Sequence, residues 1–389
     1  MRLAIITTHP IQYYAPWFRL LAKRNIVFPK VFYTWCQSYK GVKFDPGFGK
    51  KIEWDIPLLE GYEYTFVKNT ASDPGSHHYN GIINPTLISE VKQWEPNAVL
   101  VIGWNFKSHL KCIRYFHNKI TVFFRGDSTL LDEQSQLKKI LRRIFLKWIY
   151  HYIDYALYVG SNNKKYFLAY GLKERQLIFT PHAIDNERFA EPAEIYEREA
   201  VLWRREIGIK EDDIVVLFAG KLEPKKNPFL LLELAKKITD KRLKFIFTGN
   251  GVLEEELKSS AFNDERIRFI DFQNQQKMPV LYRLGDIFIL PSKGPGETWG
   301  LAINEAMACN RPVIISDKVG CSTDLVKNNI NGIIFNITSP DRLIGFIKQL
   351  LQDDTLIKKM GNQSTQIIKD FSFQHIVSAI ENLMVQSVI

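Results

Sequence analysis

Short apolar runs alternate with segments of helical periodicity along the whole chain. Ala98–Ile102 and Thr121–Phe124 are continuous runs rich in β-branched and aromatic residues, which is typical of parallel strands buried on both faces. Helical spacing of apolar positions follows most of the strand-like runs. This order is typical of parallel α/β units, and no sequence repeat links the two halves. The pattern predicts an α/β protein with two doubly wound domains facing across a cleft.

The length supports the division into two domains. A chain of 389 residues is too long for one ordinary hydrophobic core. The segment Pro181–Ala200 is polar and is predicted to be a hinge or linker. We therefore predict an N-terminal domain over residues 1–190, a C-terminal domain over 191–370, and a helix over 371–389 that can cross back to the N-terminal domain. Cys36–Glu60 shows no clear period, and so long a loop is often functional.

Polar residues follow several predicted strands of the first half. Arg125 and Asp127 come after one buried run, and Asn105 comes after another. Ligands of open α/β sheets collect outside the carboxyl ends of the strands, so these positions are candidates for chemistry. An alternative is that Asp127 or Ser128 caps the next helix, and both roles can hold together.

The segment Leu137–Tyr152 is predicted to be an amphipathic helix. Its basic residues fill one face: Lys138, Lys139, Arg142, Arg143 and Lys147. Its apolar residues follow helical spacing: Leu137, Ile140, Leu141, Ile144, Phe145, Trp148, Ile149 and Tyr152. Such a helix can lie in an anionic membrane interface. The alternative is an ordinary surface helix whose apolar side packs on the core.

The second half opens with a strand, Ile214–Ala219, that breaks at Gly220 before a predicted helix. Lys221 and Lys226 lie five positions apart across this turn, so both can reach one anion next to the unpaired amides of the helix. The pattern predicts a phosphate clamp, and the alternative is a solvated turn. A Walker loop is excluded because its spacing is not present. A second strand ends in Gly249-Asn250-Gly251, where backbone can approach a ligand closely.

The stretch Leu290–Ile315 contains two carboxylates, Glu297 and Glu305, eight positions apart. The preceding Gly-Pro-Gly run predicts a loop, and helical spacing begins after Gly300. Glu297 is thus placed at a loop–helix junction and Glu305 about two turns into the helix. Together they can hold sugar or ribose hydroxyls while the helix N-terminus faces a phosphate. The alternative is that both are solvated surface acids.

Composition narrows the classes of protein and partner. The net charge of +10 predicts an anionic partner: a membrane surface, a nucleic acid or a phosphorylated ligand. No recognisable nucleic-acid motif is present and the basic residues are spread along the chain, which argues against nucleic acid. No apolar run is long enough to cross a bilayer, and no secretory signal is seen.

Cysteine and histidine positions argue against a metal site. Four scattered cysteines, with no CxxC pair, fit a reduced cytosolic setting. The adjacent His77 and His78 are predicted to be surface histidines that make a poor metal site, because neighbours on a strand point to opposite faces. The chain is therefore predicted to be cytoplasmic, with association at the inner face of the membrane as an option.

Several ordered motifs of the second half resemble the retaining glycosyltransferases of family 4, which have the GT-B fold of two Rossmann-like domains. GKLEPKKN at Gly220–Asn227 is similar to the family's G-[RK]-L-x-x-x-K motif. TGNG at Thr248–Gly251 is similar to its glycine turn, and ETWGLAINE at Glu297–Glu305 to its E-x7-E motif. NGIIF at Asn331–Phe335 also fits the family.

The resemblance implies roles for individual residues. Lys221 and Lys226 would bind the diphosphate of a nucleotide-sugar donor, Glu305 its ribose, and Glu297 the hydroxyls of its sugar. Further donor contacts are implied for five residues: Gly249, Asn250, Trp299, Gly300 and Leu301. The base would lie near Phe272–Met278.

The first half departs from the family pattern. His9 begins a run that replaces the usual glycine-rich loop, and Arg125-Gly126-Asp127 replaces a histidine often found there. Pro181–Asp185 resembles the family's NG[IV]D run with two substitutions. No catalytic histidine is carried over. We predict that Asp127 orients the acceptor or the reacting centre with Arg125 beside it and Glu297 as the third catalytic residue, and that His9 and Asn105 lie on the acceptor side.

The resulting hypothesis is an enzyme of the glycosyltransferase class (EC 2.4). It would move a sugar, with retention of configuration, to a hydroxyl of a glycan or lipid-linked acceptor in cell-surface polysaccharide synthesis. No cofactor and no metal are expected, since lysines can stabilise the leaving phosphate. Two alternatives remain open: a soluble enzyme acting on a small molecule, and a non-catalytic basic binding protein.

Overall fold

The chain folds into two compact units, as seen in a computed structural model that describes residues 1–35, 42–45, 48–132 and 135–388. The first unit comprises Met1–Lys43, Ile56–His182 and Phe373–Ile389. The second unit comprises Phe44–Asp55 and Ala183–Ser372. Cys36 and part of the predicted loop around it lie outside the described residues.

Nine strands precede residue 180 in the described part of the chain. They are β1 (Arg2–Thr7), β2 (Phe28–Tyr33), β3 (Val42–Asp45), β4 (Lys50–Glu53), β5 (Glu63–Phe66), β6 (Ala98–Ile102), β7 (Thr121–Arg125), β8 (Tyr155–Tyr158) and β9 (Leu177–Phe179). Seven of them form a sheet in the order β5-β2-β1-β6-β7-β8-β9, and its pairs are parallel. The centre of the sheet is apolar on both faces because Leu3, Ile5, Val99 and Leu100 are all fully buried.

The second unit has its own sheet of six parallel strands. They are β10 (Ile214–Ala219), β11 (Leu243–Thr248), β12 (Ile267–Ile270), β13 (Ile287–Leu290), β14 (Val313–Ser316) and β15 (Gly332–Phe335). Their order is β12-β11-β10-β13-β14-β15. The order reverses at β10, where β11 lies on one side and β13 on the other. Ligands of open α/β sheets bind at such switch points, so the loops after β10 and β13 are well placed for a ligand.

Helices connect the strands. They are α1 (Ala15–Arg24), α2 (Leu87–Gln93), α3 (Lys107–Phe116), α4 (Gln136–Tyr150), α5 (Ser161–Ala169), α6 (Asn186–Ala190), α7 (Ala193–Glu206), α8 (Phe229–Lys237), α9 (Glu254–Ser260), α10 (Met278–Leu284), α11 (Leu301–Ala308), α12 (Ser322–Leu325), α13 (Asp341–Gln352), α14 (Thr355–Ile368) and α15 (Phe373–Val388). None of the helices in the described ranges is long and apolar enough to span a bilayer.

The segmentation differs from the prediction at two places. The N-terminal part of the first unit ends at His182 rather than at residue 190, and the predicted linker holds α6 and the start of α7. Arg283 of α10 connects this segment to the second unit. Its guanidinium donates hydrogen bonds to the carbonyls of Phe189 and Ala190 in α6. The C-terminal helix α15 belongs to the first unit, where Arg24 pairs with Glu381 at 3.0 Å.

The predicted loop Cys36–Glu60 contains two short strands. β3 and β4 pair with each other in a small sheet, and Phe44–Asp55 belongs to the second unit although it lies early in the chain. Asn274 donates to the carbonyl of Glu53 at 2.5 Å, and the amide of Gln276 donates to the carboxylate of Asp55. These bonds join positions more than 200 residues apart, which local periodicity does not reveal.

The exposure of α4 argues against the alternative that its whole apolar stripe packs on the core. Leu137 and Ile144 are 68% and 65% exposed, whereas the buried face consists of Leu146, Ile149 and Tyr150. The helix begins after Ser135, so the alternative that Asp127 or Ser128 caps it is also wrong.

A buried histidine makes the stability of the first unit depend on pH. His109 is fully buried, with Nδ1 facing the carbonyls of Ile102 and Gly103 and Nε2 2.8 Å from the hydroxyl of Thr34. Burial lowers the pKa of His109 to about 4. The unfolded chain, with an ordinary pKa near 6.5, binds more protons between these values, so stability is lost as the pH falls.

We expect this histidine alone to cost about 2.5 kcal/mol of unfolding free energy between pH 7 and pH 4.5. Urea unfolding at both pH values measures the loss. A His109→Asn variant keeps a donor toward the two carbonyls but does not titrate, so its loss over the same range should be smaller by that amount. Equal losses in both proteins would contradict the assignment.

Candidate functional site

Lys226 and Glu297 form the centre of a polar site in the second unit. The Lys226 Nζ donates a hydrogen bond to Glu297 Oε2 at 2.5 Å, and the Ser292 hydroxyl donates to the same oxygen at 2.9 Å. The Glu297 and Lys226 side chains are only 8% and 17% exposed. The alternatives of a solvated acid and of a lysine on a solvated turn are therefore wrong for this pair. A charge pair held this way keeps the ammonium in a fixed position.

The turn after Glu297 leads directly into a helix N-terminus. Gly300 has φ +95° and caps α11. A Cβ at this glycine would lie 2.9 Å from side-chain atoms of Leu290 and Val319, so both the conformation and the space require glycine. Trp299 is buried, and its indole donates to Asn304 at 2.8 Å, which fixes the start of the helix. The first amides of α11, from Leu301 onward, make this end favourable for an anion.

Glu305 lies on the buried side of α11. Its side chain is 3% exposed, and its Oε2 accepts a hydrogen bond from the Tyr282 hydroxyl at 2.6 Å. The interpretation of Glu305 as a solvated surface acid is therefore wrong. Tyr282 thus positions one carboxylate oxygen, as Ser292 positions one oxygen of Glu297.

Lys221 lies against an aromatic side chain that comes from early in the chain. Its ammonium is 5.0 Å from the centroid of the Phe48 ring, and that ring is 4.9 Å from Phe272. Phe272 begins the segment that the resemblance associates with a nucleotide base. The two aromatic rings and the cation form one cluster with an apolar and a positive side, which suits a base next to a phosphate.

The glycine turn after β11 is closely packed. Gly249 has φ +121°, and a Cβ there would lie 2.1 Å from the carbonyl oxygen of Gly220. The Asn250 side chain donates to Glu254 and Asp271 and accepts from the amide of Phe272. Asn250 therefore fixes the loop beside Phe272, and its predicted contact with a donor stays a prediction.

The first unit contains a separate cavity of about 270 Å³ at the carboxyl ends of its strands. Arg125 lies at its wall and is 2% exposed. Its guanidinium donates to the carbonyls of Thr180 at 2.8 Å and Pro181 at 3.0 Å. Burial lowers the pKa of Arg125, and the neighbouring Tyr14 and Asp127 oppose this change. Arg125 is thus a buried cation at the edge of a cavity, where an anion or a polar hydroxyl is favoured.

Asp127 and His182 line the same cavity. Asp127 Oδ2 is 3.7 Å from His182 Nε2, and the two side chains are 47% and 8% exposed. Burial lowers the pKa of His182, an effect that the carboxylate of Asp127 partly offsets. At neutral pH the histidine is therefore uncharged, and an accessible carboxylate lies beside a neutral imidazole.

The two predicted acceptor-side residues have different surroundings. His9 lines the cavity, with its Nδ1 3.0 Å from the Thr8 hydroxyl and its ring edge-on to Trp35. Asn105 is exposed and is not among the described residues that line the cavity. The structure thus brings His9, Arg125 and Asp127 together and leaves Asn105 outside this group.

Sequence reasoning missed several side chains of the two sites. His182 was available as part of Pro181–Asp185, but its pairing with Asp127 spans two separate strands. Ser292 and Tyr282 support the two carboxylates from positions without a sequence signal of their own. Phe48 lies in the segment whose function was expected but whose residues were not identified.

His77 and His78 are surface histidines, as predicted, with side chains 65% and 36% exposed, but the expectation that they make a poor metal site needs correction. Both imidazoles lie near one carboxylate, with Nε2 atoms 3.3 Å and 3.2 Å from Asp73 Oδ2. The strand argument fails because these residues lie in an irregular loop. The three ligand atoms lie close enough together to hold a metal ion, although Asp73 and His77 are exposed.

A family model described as glycosyl transferases group 1 matches residues 201–367. Residues 201–367 are thus similar to the glycosyl transferases group 1 family. The group 1 segment contains Lys221, Lys226, Glu297 and Glu305, so the predicted resemblance is confirmed for this part of the chain.

Curated relatives of the chain are named as glycosyltransferases. The UDP-Gal:alpha-D-GlcNAc-diphosphoundecaprenol alpha-1,3-galactosyltransferase of Escherichia coli is 29% identical over 217 residues, covering 54% of each chain. The D-inositol 3-phosphate glycosyltransferase of Salinispora arenicola is 27% identical over 211 residues, covering 51% of this chain and 46% of that protein. The chain thus spans about half the length of these relatives.

Solved structures resemble the chain from end to end. Anabaena Alr3699/HepE in complex with UDP covers 99% of this chain with a TM-score of 0.74 at 16% identity. WaaG, a glycosyltransferase involved in lipopolysaccharide biosynthesis, covers 98% of this chain and 99% of its own, with a TM-score of 0.65 at 13% identity. Likeness at this identity concerns the fold. The prediction of two Rossmann-like α/β domains of the GT-B class is confirmed.

Proposed function

We propose that the protein is a retaining glycosyltransferase. It takes a sugar from a nucleotide-diphosphate sugar and transfers it to a hydroxyl of a glycan or lipid-linked acceptor, in cell-surface polysaccharide synthesis. It works in the cytoplasm, without cofactor or metal, and makes peripheral contact with an anionic membrane surface. The observation that supports this proposal most is the pairing of Lys226 with Glu297 beside the N-terminus of α11.

The second unit supplies the groups that a departing nucleoside diphosphate needs. As the bond between the anomeric carbon and the phosphate oxygen breaks, negative charge grows on that oxygen. The ammonium of Lys226 and the first amides of α11 stabilise this charge from fixed positions, which lowers the barrier without reorganisation. The cluster of Phe48, Phe272 and Lys221 is proposed to receive the base and the neighbouring phosphate.

The two buried glutamates act as hydrogen-bond acceptors in this proposal. Glu297 accepts from sugar hydroxyls while its Oε2 stays bonded to Lys226 and Ser292. Glu305 accepts from the ribose while Tyr282 holds its other side. Carboxylates positioned in this way accept hydrogen bonds that are stronger than those between neutral groups. Retention of configuration follows from attack on the same face as the departing phosphate, which itself receives the acceptor proton.

The cavity of the first unit is the proposed acceptor side. Asp127 is exposed enough to accept a hydrogen bond from an incoming hydroxyl, and the uncharged His182 beside it offers a second polar contact. The buried guanidinium of Arg125 favours an acceptor that carries negative charge. A lipid-linked diphosphate sugar has such a charge, and the Escherichia coli relative is named for an acceptor of that kind.

A soluble small-molecule acceptor is the second candidate. Several relatives are named D-inositol 3-phosphate glycosyltransferases. The compound in this name, inositol 3-phosphate, is a soluble, phosphorylated polyol. Arg125 suits the phosphate of either acceptor. Comparing transfer to an inositol phosphate with transfer to a polyprenyl diphosphate sugar separates the two candidates.

A donor screen tests the proposed reaction. Thermal unfolding is measured with UDP-, GDP- and ADP-sugars in buffer containing EDTA, because no metal is proposed. A donor present at about 100 times its Kd should raise the unfolding temperature by about 5–10 °C through linkage. UDP-sugars are the first choice because Anabaena Alr3699/HepE, which has the same fold, was solved in complex with UDP.

The control is the matching free monosaccharide, which lacks the diphosphate and should give no shift. If no nucleotide sugar raises the unfolding temperature above that of the protein alone, the proposed function is contradicted. A shift that requires Mg²⁺ would contradict metal independence.

A further inference from the structure

The helix α4 turns a broad apolar surface toward solvent. Six large side chains, each 40–68% exposed, form what we call the outer face of α4: Leu137, Ile140, Leu141, Ile144, Phe145 and Trp148. Single exposed apolar residues are common on protein surfaces, but six on one 15-residue helix form a continuous patch. Contiguous patches of this kind mark interaction sites.

Helical geometry places the outer face opposite the core. At about 100° per residue, the six positions fall within an arc of roughly 140°. The buried residues Leu146, Ile149 and Tyr150 fall on the far side of the helix. The helix therefore has two apolar faces, and only one of them is needed for packing. Packing of the first unit does not account for the outer face.

Cations border the outer face. Lys138 lies along one margin, and Arg143 and Lys147 lie along the other, by the same 100° geometry. No acidic residue occurs between Ser135 and Asp154. An apolar face bordered by cations and free of acids is typical of a helix that lies flat in an anionic lipid interface.

Aromatic side chains gather near the C-terminal half of this face. Phe145 stacks on Trp148 at 5.9 Å and meets Trp104 edge-on at 5.5 Å. The guanidinium of Arg114 is 5.2 Å from the Trp148 ring. Amphipathic aromatic rings are enriched at the boundary between lipid headgroups and hydrocarbon. The cluster therefore suits the same depth as the apolar face.

A cationic groove adjoins α4. It has a volume of about 910 Å³ and is lined in part by Lys119, Lys147, Lys173 and Arg175. Asp154 is the single acid among its described lining residues, and its carboxylate accepts from the amide of Val122. Four cations against one engaged carboxylate favour phosphate groups of the kind that anionic lipids present.

We infer that the first unit docks on an anionic phospholipid leaflet through α4, which lies parallel to the surface with its outer face among the acyl chains. The helix is about 22 Å long, since it has 15 residues that each rise 1.5 Å along its axis. A second copy of the chain is a poor occupant, because pairing two outer faces would bring the three bordering cations of each helix, Lys138, Arg143 and Lys147, close to those of the other. The inference rests on the proposed function and deepens it, since it names the surface that brings the enzyme to a lipid-linked acceptor.

Vesicle co-sedimentation of the full chain tests the inference. One set of vesicles contains phosphatidylcholine with 30% phosphatidylglycerol, and the other contains phosphatidylcholine alone. The wild type should sediment with the first set at least tenfold more strongly than with the second. The variant Leu141→Glu/Ile144→Glu places two carboxylates in the outer face and should bind the anionic vesicles at least tenfold more weakly. The variant Lys138→Gln/Arg143→Gln should bind them about tenfold more weakly.

The matched control is Phe262→Glu, which changes a side chain that is 80% exposed in the second unit. It should bind vesicles like the wild type. The inference is overturned if the wild type stays in the supernatant, if Leu141→Glu/Ile144→Glu binds as the wild type does, or if that variant instead converts a dimer to a monomer. Donor binding is measured in the same proteins by thermal shift, so loss of vesicle binding with an intact donor shift separates this inference from the proposed reaction.

Discussion

A Lys226→Met variant should lose about 10²–10³-fold in kcat while remaining folded. The ammonium of Lys226 is held in a largely buried position by Glu297, whose Oε2 also accepts from Ser292, so its charge acts on the leaving phosphate with little screening by water. Methionine keeps the length and apolar stem of the side chain and removes the charge. Steady-state kinetics with the donor found in the screen measure the effect.

Lys225→Met is the matched control for this prediction. Lys225 is the next residue of the same turn, but its ammonium is 3.8 Å from Glu223 and is more exposed. Its removal should change kcat by less than a factor of three. Similar losses from both variants would indicate a general effect of the turn's charge and contradict a specific role for Lys226.

Unfolding must be separated from lost chemistry, because Lys226→Met leaves the buried Glu297 carboxylate without its cation. Breaking a buried pair from one side costs about 3–5 kcal/mol. The double variant Lys226→Met/Glu297→Gln removes the unpaired charge, so it should recover most of the unfolding free energy but none of the activity. Recovery of both would show that the single variant had failed by unfolding.

Much of the fold can be predicted from the sequence, because buried parallel strands consist of continuous apolar runs. β6 and β10 begin and end where the runs predict, and Gly249 and Gly300 mark turns that only glycine can make. Strand boundaries are local features, since they depend on residues that follow one another in the chain. Lys226 and Glu297 could be named for the same reason, as each lies in a recognisable turn after a strand.

Features that depend on distant contacts could not be predicted. The segment Phe44–Asp55 joins the second unit through bonds to Asn274 and Gln276. His182 reaches Asp127 only because β7, β8 and β9 are neighbours in the sheet. Periodicity gives the angle at which side chains leave a helix, but not the strands that lie beside them.

The helix α4 illustrates a different limit. Its hydrophobic period was correct, but the period left open whether the apolar stripe faces lipid or packs on the core. A helix with two apolar faces has the same period whichever face packs, so the sequence could not decide between them. The packing of Leu146 and Ile149 decides it, and this packing depends on the sheet below.

An Asp127→Asn variant should lower kcat by about 10²-fold and leave the donor's thermal shift unchanged. Asparagine has the same shape but is a weaker acceptor for the hydrogen bond of an attacking hydroxyl. Asp127 is placed for that contact because its side chain is 47% exposed at the rim of the cavity that Arg125 and His182 also line. Initial rates with saturating donor and varied acceptor measure the loss.

The pH profile gives a second readout, which a purely structural role would not produce. The carboxylate of Asp127 raises the pKa of His182 against the stronger lowering by burial. Removing that charge lowers the pKa further, so the acid limb of the rate profile should move to lower pH in Asp127→Asn if His182 must be neutral. Glu95→Gln changes an 82% exposed carboxylate of the same unit and should alter neither rate nor profile. Unchanged turnover in Asp127→Asn would remove the carboxylate from the mechanism and leave the cavity's histidine and arginine as the acceptor contacts.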